Sequence, residues 1–257
     1  MAVKTAAGAN LWFIVAHEDL DSVDSFLYDP NFQRIAITSH YGKIKVYSLG
    51  RETGNLAGLW THEVTETIPR AVFFGDHGNS LSVYAMEGGT IHSYDSETST
   101  EKSVTSLKTA IGNVDVCTNT GHFVIDNMFN GFDLYSPNRT SPIHTFKVEI
   151  TARFIKTIVF GEGGQIIVAG SDHGKVYLFG TGQKDVQQVL RHGNRDQIIQ
   201  VVATKSTKTE HIVVSGASSG NFGINVWKKV ESLFTQVMNQ IYALRIYRPG
   251  NKRLMKP

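Results

Sequence analysis

Five times along the chain, a short run of β-branched and aromatic residues is followed across a glycine-bearing turn by a second such run: RIAITSHYGKIKVY, SLSVYAMEGGTIHSY, HFVIDNMFNGFDLY, QIIVAGSDHGKVYLF and HIVVSGASSGNFGINVW. Each segment predicts a β-hairpin, because these residues fit a pleated surface and glycine tolerates the turn. The turn glycines Gly42, Gly89, Gly131, Gly174 and Gly223 are 47, 42, 43 and 49 residues apart. An aromatic follows each of them: Tyr47, Tyr94, Tyr135, Phe179 and Trp227. An apolar strand precedes each hairpin: FLY after Ser25, AVFF from Ala71, VDVC from Val114, FIKTIVF from Phe154 and IIQVV from Ile198. Another follows most of them, near Trp60, Leu107, Phe146 and Leu190. One structural unit of four strands is therefore repeated, with loops of variable length.

Composition agrees with a folded repeat. The chain has 257 residues, 41% of them hydrophobic, with 24 Gly against 6 Pro and a single Cys. That excludes a disordered or collagen-like chain and an internal disulfide framework. The net charge of +2 is uneven: residues 228–257 hold seven bases and one acid, leaving −4 on the rest. A body without a basic excess is a poor nucleic-acid binder, since such affinity comes mostly from phosphate neutralisation. No apolar run is long enough for a spanning helix. Lys4 followed by the run Ala6 to Ala16 reads either as a buried strand or as a signal peptide.

Four strands per unit of about 40–45 residues is the period of a β-propeller blade. Isolated sheets this short cannot bury both faces, whereas stacked ones cover each other. With these repeats, and best in GEGGQIIVAGSDHGKVYLF, the sequence resembles the WD40-repeat family over residues of about 11 to 232. Ser171, Asp172 and Gly174 stand where that family has a polar turn before its third strand. The resemblance implies an all-β propeller of four-stranded antiparallel blades, about five of them recognisable, at residues 1–232. It also implies buried networks of an inter-blade His, a strand-two Ser, a turn Asp and a strand-three Trp. His17, His62 and His192 are the candidate histidines. The Trp-Asp dipeptide is absent, Tyr94-Asp95 being the nearest approach, so few complete networks are expected. An N-terminal strand (LWF at Leu11 to Phe13) or LFTQV from Leu233 is expected to complete the last blade.

Little in the sequence points to catalysis, and no catalytic, cofactor or metal residue is assigned. Gly216-Ala217-Ser218-Ser219-Gly220 matches the G-x-S-x-G nucleophile elbow, but a strand rather than the required helix follows it. Gly161-Glu162-Gly163-Gly164 likewise reads as a turn, lacking the helix of a phosphate loop. The ten histidines have no metal-ligand spacing. Cys117, in VDVC, reads as a buried structural thiol. The sequon Asn138-Arg139-Thr140 matters only behind a signal peptide.

Arg70, Arg153 and Arg195 each sit at the entry to a first strand, two periods and one period apart. Three guanidinium groups at equivalent places suit an acidic or phosphorylated peptide; the competing reading is three solvated loop arginines. Residues 233–257 form a basic tail in which Leu233, Phe234, Val237, Met238, Ile241, Leu244 and Arg245 have helical spacing. It could dock on a partner, lie on an anionic membrane surface or pack back on the sheets. The sequence thus leads to a non-catalytic, cytoplasmic protein-interaction scaffold, either a monomer or part of a larger complex. Two alternatives stay open: a propeller enzyme, such as a hydrolase, with its site at the axial mouth, and an incomplete propeller inactive alone.

Overall fold

A computed structural model describes the backbone of residues 2–4, 10–12, 21–50, 55–220, 222–230 and 242–245, with side chains for 21–50, 55–220 and 222–229. The regular structure of the described residues is almost wholly β-strand, apart from three short 3-10 turns. Two short strands, β1 (Ala2–Lys4) and β2 (Asn10–Trp12), pair antiparallel as a two-stranded sheet, Ala2 opposite Trp12. Five four-stranded sheets follow, each a meander in which chain neighbours are sheet neighbours.

The first sheet comprises β3 (Val23–Asp29), β4 (Arg34–Ser39), β5 (Lys43–Leu49) and β6 (Leu56–Glu63). The second comprises β7 (Pro69–Gly75), β8 (Ser80–Ala85), β9 (Thr90–Asp95) and β10 (Glu101–Ser106). The third comprises β11 (Val114–Val116), β12 (Phe123–Asp126), β13 (Gly131–Tyr135) and β14 (His144–Lys147). The fourth comprises β15 (Ile158–Gly161), β16 (Ile166–Ala169), β17 (Lys175–Gly180) and β18 (Val186–Arg191). The fifth comprises β19 (Ile199–Ser206), β20 (Glu210–Ala217), β21 (Ile224–Val230) and β22 (Tyr242–Arg245).

The chain divides into two compact units, Met1–Val114 with Asn138–Ser141, and Asp115–Pro137 with Pro142–Pro257. In the first, Ala36, Ile44 and Val46 of the first sheet pack on Val72, Leu81, Val83 and Tyr94 of the second. Arg34 reinforces this junction. Its guanidinium donates to Asp29 Oδ2 at 3.0 Å, Ser96 Oγ at 2.9 Å and the Gly78 carbonyl at 2.5 Å, and lies over the rings of Phe32 and Phe74.

In the second unit the fourth sheet is the centre. Ile167, Ala169, Tyr177 and Phe179 pack on Val124, Phe132, Leu134 and Phe146 of the third sheet. On the opposite face Ile166, Val168, Val176 and Leu178 pack on Ile199, Val202, Val213 and Trp227 of the fifth. Cover on both faces explains why IIVA and VYLF are continuous apolar runs rather than alternating ones. Each buried Val, Leu, Ile or Phe among them contributes roughly 1.5–3 kcal/mol of transfer free energy. Phe179, the aromatic of the fourth hairpin, is fully buried, as are Tyr94 and Tyr135, while Tyr47 is half-buried.

The turn glycines share a role. Gly174 has φ +72, its carbonyl accepts the N–H of His192 at 2.9 Å, and a Cβ there would lie 2.1 Å from the Asn194 carbonyl oxygen. Gly42 and Gly89 make the same approach to the chain leaving their fourth strands. In the fifth hairpin the left-handed glycine is Gly220 (φ +68), not Gly223.

Three expectations need correction. The segment from Phe154 is a loop up to Thr157, and β15 starts only at Ile158. His62 lies inside β6, opposite Ile44, rather than in a loop between sheets. The fourth strand of the fifth sheet is neither the N-terminal LWF nor LFTQV: Leu11 and Trp12 belong to the two-stranded sheet, and Tyr242–Arg245 pairs with β21, Val226 opposite Leu244. Leu244 and Arg245 are therefore extended rather than helical. His17, Leu233, Phe234, Val237, Met238 and Ile241 lie outside the described residues. No helix among the described residues is long and apolar enough to cross a membrane.

Candidate interaction surface

The three arginines fare differently. Arg70, on β7 in the first unit, is engaged: its Nε donates to the Gly112 carbonyl at 3.0 Å and its Nη1 lies 3.5 Å from Asp24. Arg153 and Arg195 belong to the second unit. Arg153 is exposed and has no hydrogen-bond or ion-pair partner among the described residues. Arg195 is 76% exposed and pairs with Glu149, which stands in the same β14–β15 loop as Arg153. The structure thus brings Arg195 to the loop that carries Arg153.

That loop is held from two sides. Asp126, at the end of β12, accepts the backbone N–H of Lys156 at 2.9 Å. Asp172, in the β16–β17 turn, accepts the N–H groups of Thr151 and Ala152, both at 2.6 Å, through one oxygen. Between these clamps Arg153 and Phe154 face solvent, Phe154 being 41% exposed. The N–H of Lys156 goes to Asp126 and that of Thr157 to the Gln200 carbonyl, and pairing with β16 begins only at Ile158.

The clamping carboxylates are differently tuned. Burial pushes Asp126 above the ordinary carboxylate value, although the Lys156 ammonium 3.5 Å away opposes this. At Asp172 burial also acts upwards, but the N–H of Ala152, the His173 side chain and the N–H of Thr151 together hold it below that value. Asp172 Oδ1 meets His173 Nδ1 at 2.6 Å, and His173 Nε2 meets the Tyr177 hydroxyl at 2.7 Å. Burial raises Tyr177, helped by the charges of Glu149 and Asp172. The relay ends within its own sheet and is buried, His173 at 2% exposure. Its geometry locks the turn.

Neighbouring turns continue the surface. Asn127 Oδ1 accepts the N–H groups of Phe129, Asn130 and Gly131, fixing a tight turn that projects Phe129 at 69% exposure. Gln197 Oε1 accepts the N–H of Asn194, closing the loop that carries Arg195, and Ser219 Oγ accepts the N–H of Ile198, joining that loop to the turn bearing Phe222. Phe222 is 70% exposed. Ser218, the nucleophile of the elbow motif, lies in this β20–β21 turn, which leads into a strand. Gly161–Gly164 likewise forms a short turn between β15 and β16.

In the fifth sheet one polar network is partly formed. His192, between β18 and β19, meets Ser215 of β20 at 2.5 Å and lies against Trp227 of β21, ring centroids 6.1 Å apart. No Asp occupies the turn; Asn225 instead donates to the His192 carbonyl at 2.9 Å. Cys117 is buried at 7% exposure, immediately after β11. No cluster of three or more His, Cys, Asp or Glu among the described residues is placed to hold a metal. A groove of about 510 Å³ between the fourth and fifth sheets holds Glu162 and Lys229, which neutralise each other at 3.2 Å.

The sequence singled out Arg153 and Arg195 but missed Asp126, Glu149, Lys156 and the three phenylalanines. Asp126 could have been noticed, since it is an acid ending the apolar run FVI. The partnership of Asp126 with Lys156, thirty residues away, left no local signal. Comparison with protein-family models and with curated proteins returns no match.

Proposed function

We propose that this chain is a non-catalytic protein-interaction scaffold whose five sheets act as blades of a WD40-type β-propeller. The observation carrying the reading is the clamped loop: Arg153 and Phe154 are exposed on a backbone fixed by two buried carboxylates. Rigid loops bearing exposed arginine and aromatic side chains are typical interaction hot spots, because little backbone freedom is lost on binding. The His192, Ser215 and Trp227 contacts support the family assignment, since they occupy the inter-sheet, second-strand and third-strand places that the resemblance implies. The partner is a protein or peptide, and a cytoplasmic setting suits a chain with one buried thiol.

Affinity capture from native cell extract, with mass spectrometry, tests the reading on the full chain and on a variant carrying Arg153→Ala, Phe154→Ala and Arg195→Ala. Loss of specific partners from a variant with unchanged circular dichroism is the expected result. An identical partner set would overturn it.

A second reading, in which the sheets need a further sheet to complete the stack, is favoured by one observation. Val201 and Ile224 on the fifth sheet are 58% and 57% exposed, as is Phe26 on the first at 70%. Concentration-dependent self-association in light scattering would support this reading over a self-sufficient monomer.

A further inference from the structure

Resting on the interaction-surface reading, we propose that Glu149 is a built-in competitor for an acidic peptide, occupying Arg195 in the free protein and yielding it when a peptide carboxylate binds. Both members of the pair are exposed, Arg195 at 76% and Glu149 at 48%, so their contact is weak enough to exchange. Neither residue is free to drift far. Glu149 precedes by two residues the backbone held by Asp172, and Arg195 lies inside the loop closed by Asn194 and Gln197. The pairing is therefore set by the framework and holds the Arg195 guanidinium beside the Arg153 loop.

Charge and shape define the incoming group. The exposed charges on these two loops and the strand ends that lead into them are Lys147, Arg153, Arg191 and Arg195 against Glu149 and Asp196. Displacing Glu149 leaves two guanidinium groups for one ligand, and guanidinium binds carboxylate through paired N–H donors. Phe154, directly after Arg153, offers an apolar contact beside the charge. The ligand that fits is an extended peptide in which Asp or Glu alternates with apolar side chains.

The probe is a fluorescent dodecapeptide of alternating Glu and Leu, with its Gln and Leu counterpart as control, titrated against the full chain. The Glu peptide is expected to bind at least about 10-fold more tightly than the control, and Arg153→Ala or Arg195→Ala to weaken it about 3–10-fold. Glu149→Gln is expected to tighten binding about 2–5-fold, and to have no effect when combined with Arg195→Ala. A merely structural Glu149 would give the opposite sign. Unchanged or weakened binding by Glu149→Gln, with thermal midpoint unchanged, overturns the competitor; so does failure of the Glu peptide to bind either protein. Should that happen while partner capture still depends on Arg153, the interaction surface stands and only the competitor falls.

Discussion

Asp126 and Lys156 form a buried ion pair in which a single carboxylate oxygen faces the ammonium at 3.5 Å and also accepts the backbone N–H of the same lysine at 2.9 Å. Both side chains are essentially inaccessible, at 0% and 1% exposure, so neither charge can fall back on water. The ammonium is further satisfied by the Phe154 carbonyl at 2.6 Å.

Removing one partner leaves the other buried and unpaired, at a cost of about 3–5 kcal/mol. Asp126→Ala is therefore expected to lower unfolding free energy by that amount, because it strands the ammonium and frees the loop N–H. Lys156→Met should cost less, since a carboxyl already pushed up by burial can take a proton. The double change should cost less than the sum of the singles. Urea denaturation of the four proteins measures this coupling.

Asp172 makes stability pH-dependent with a definite sign. Its folded carboxyl titrates below its ordinary value of 3.8, so the folded state binds fewer protons than the unfolded one in that window. The contribution is complete above the ordinary value and is lost as pH falls through the lowered one. Asp126, shifted upwards, acts oppositely: its contribution falls as pH rises above 3.8 through its folded value. The stability gap between the wild type and Asp172→Asn should therefore be widest at neutral pH and shrink below about pH 4. Thermal unfolding across pH 3 to 7 checks this; a gap that widens in acid would refute it.

Two glycines with similar backbone angles are expected to differ sharply. Gly174→Ala meets both a left-handed φ of +72 and a carbonyl oxygen 2.1 Å from the new methyl group, so a loss of about 2 kcal/mol or more is expected. Gly163, at φ +66, has nothing within 4 Å, and its change to Ala should cost only the conformational term, roughly 1 kcal/mol. Differential scanning calorimetry of the two variants separates the terms.

Adjacent valines on β19 give another contrast. Val202 is 3% exposed and packs on the fourth sheet, whereas Val201 is 58% exposed. Val202→Lys should abolish soluble folded protein, because the charge would enter a packed apolar layer. Val201→Lys should keep the stability within about 0.5 kcal/mol. Soluble yield and thermal midpoint are the readouts.

All five hairpins were legible because β-branched runs and turn glycines act locally. The sequence failed where distant groups take over the backbone. FIKTIVF has strand composition throughout, yet the N–H of Lys156 is claimed by Asp126 and that of Thr157 by the Gln200 carbonyl, and the loop just before it is tied to Asp172. Leu244 and Arg245 have helical spacing, but ladder pairing with β21 outweighs that weak local preference. In the candidate surface, Arg153 and Arg195 stood out by periodicity. Arg70, periodic as well, is engaged by Gly112 and Asp24, and periodicity carries no information about such partners.

The buried guanidinium of Arg34 sets the grain at which this architecture can be rearranged. Its acceptors include Asp29 on its own sheet and Gly78 and Ser96 on the next. A recombination point between the first two sheets would therefore leave Arg34 with Asp29 alone of its three acceptors in one product, and the Gly78 carbonyl and Ser96 hydroxyl without that donor in the other. Although the sequence repeats once per sheet, the smallest piece of the first unit that can be exchanged, duplicated or grafted intact is a pair.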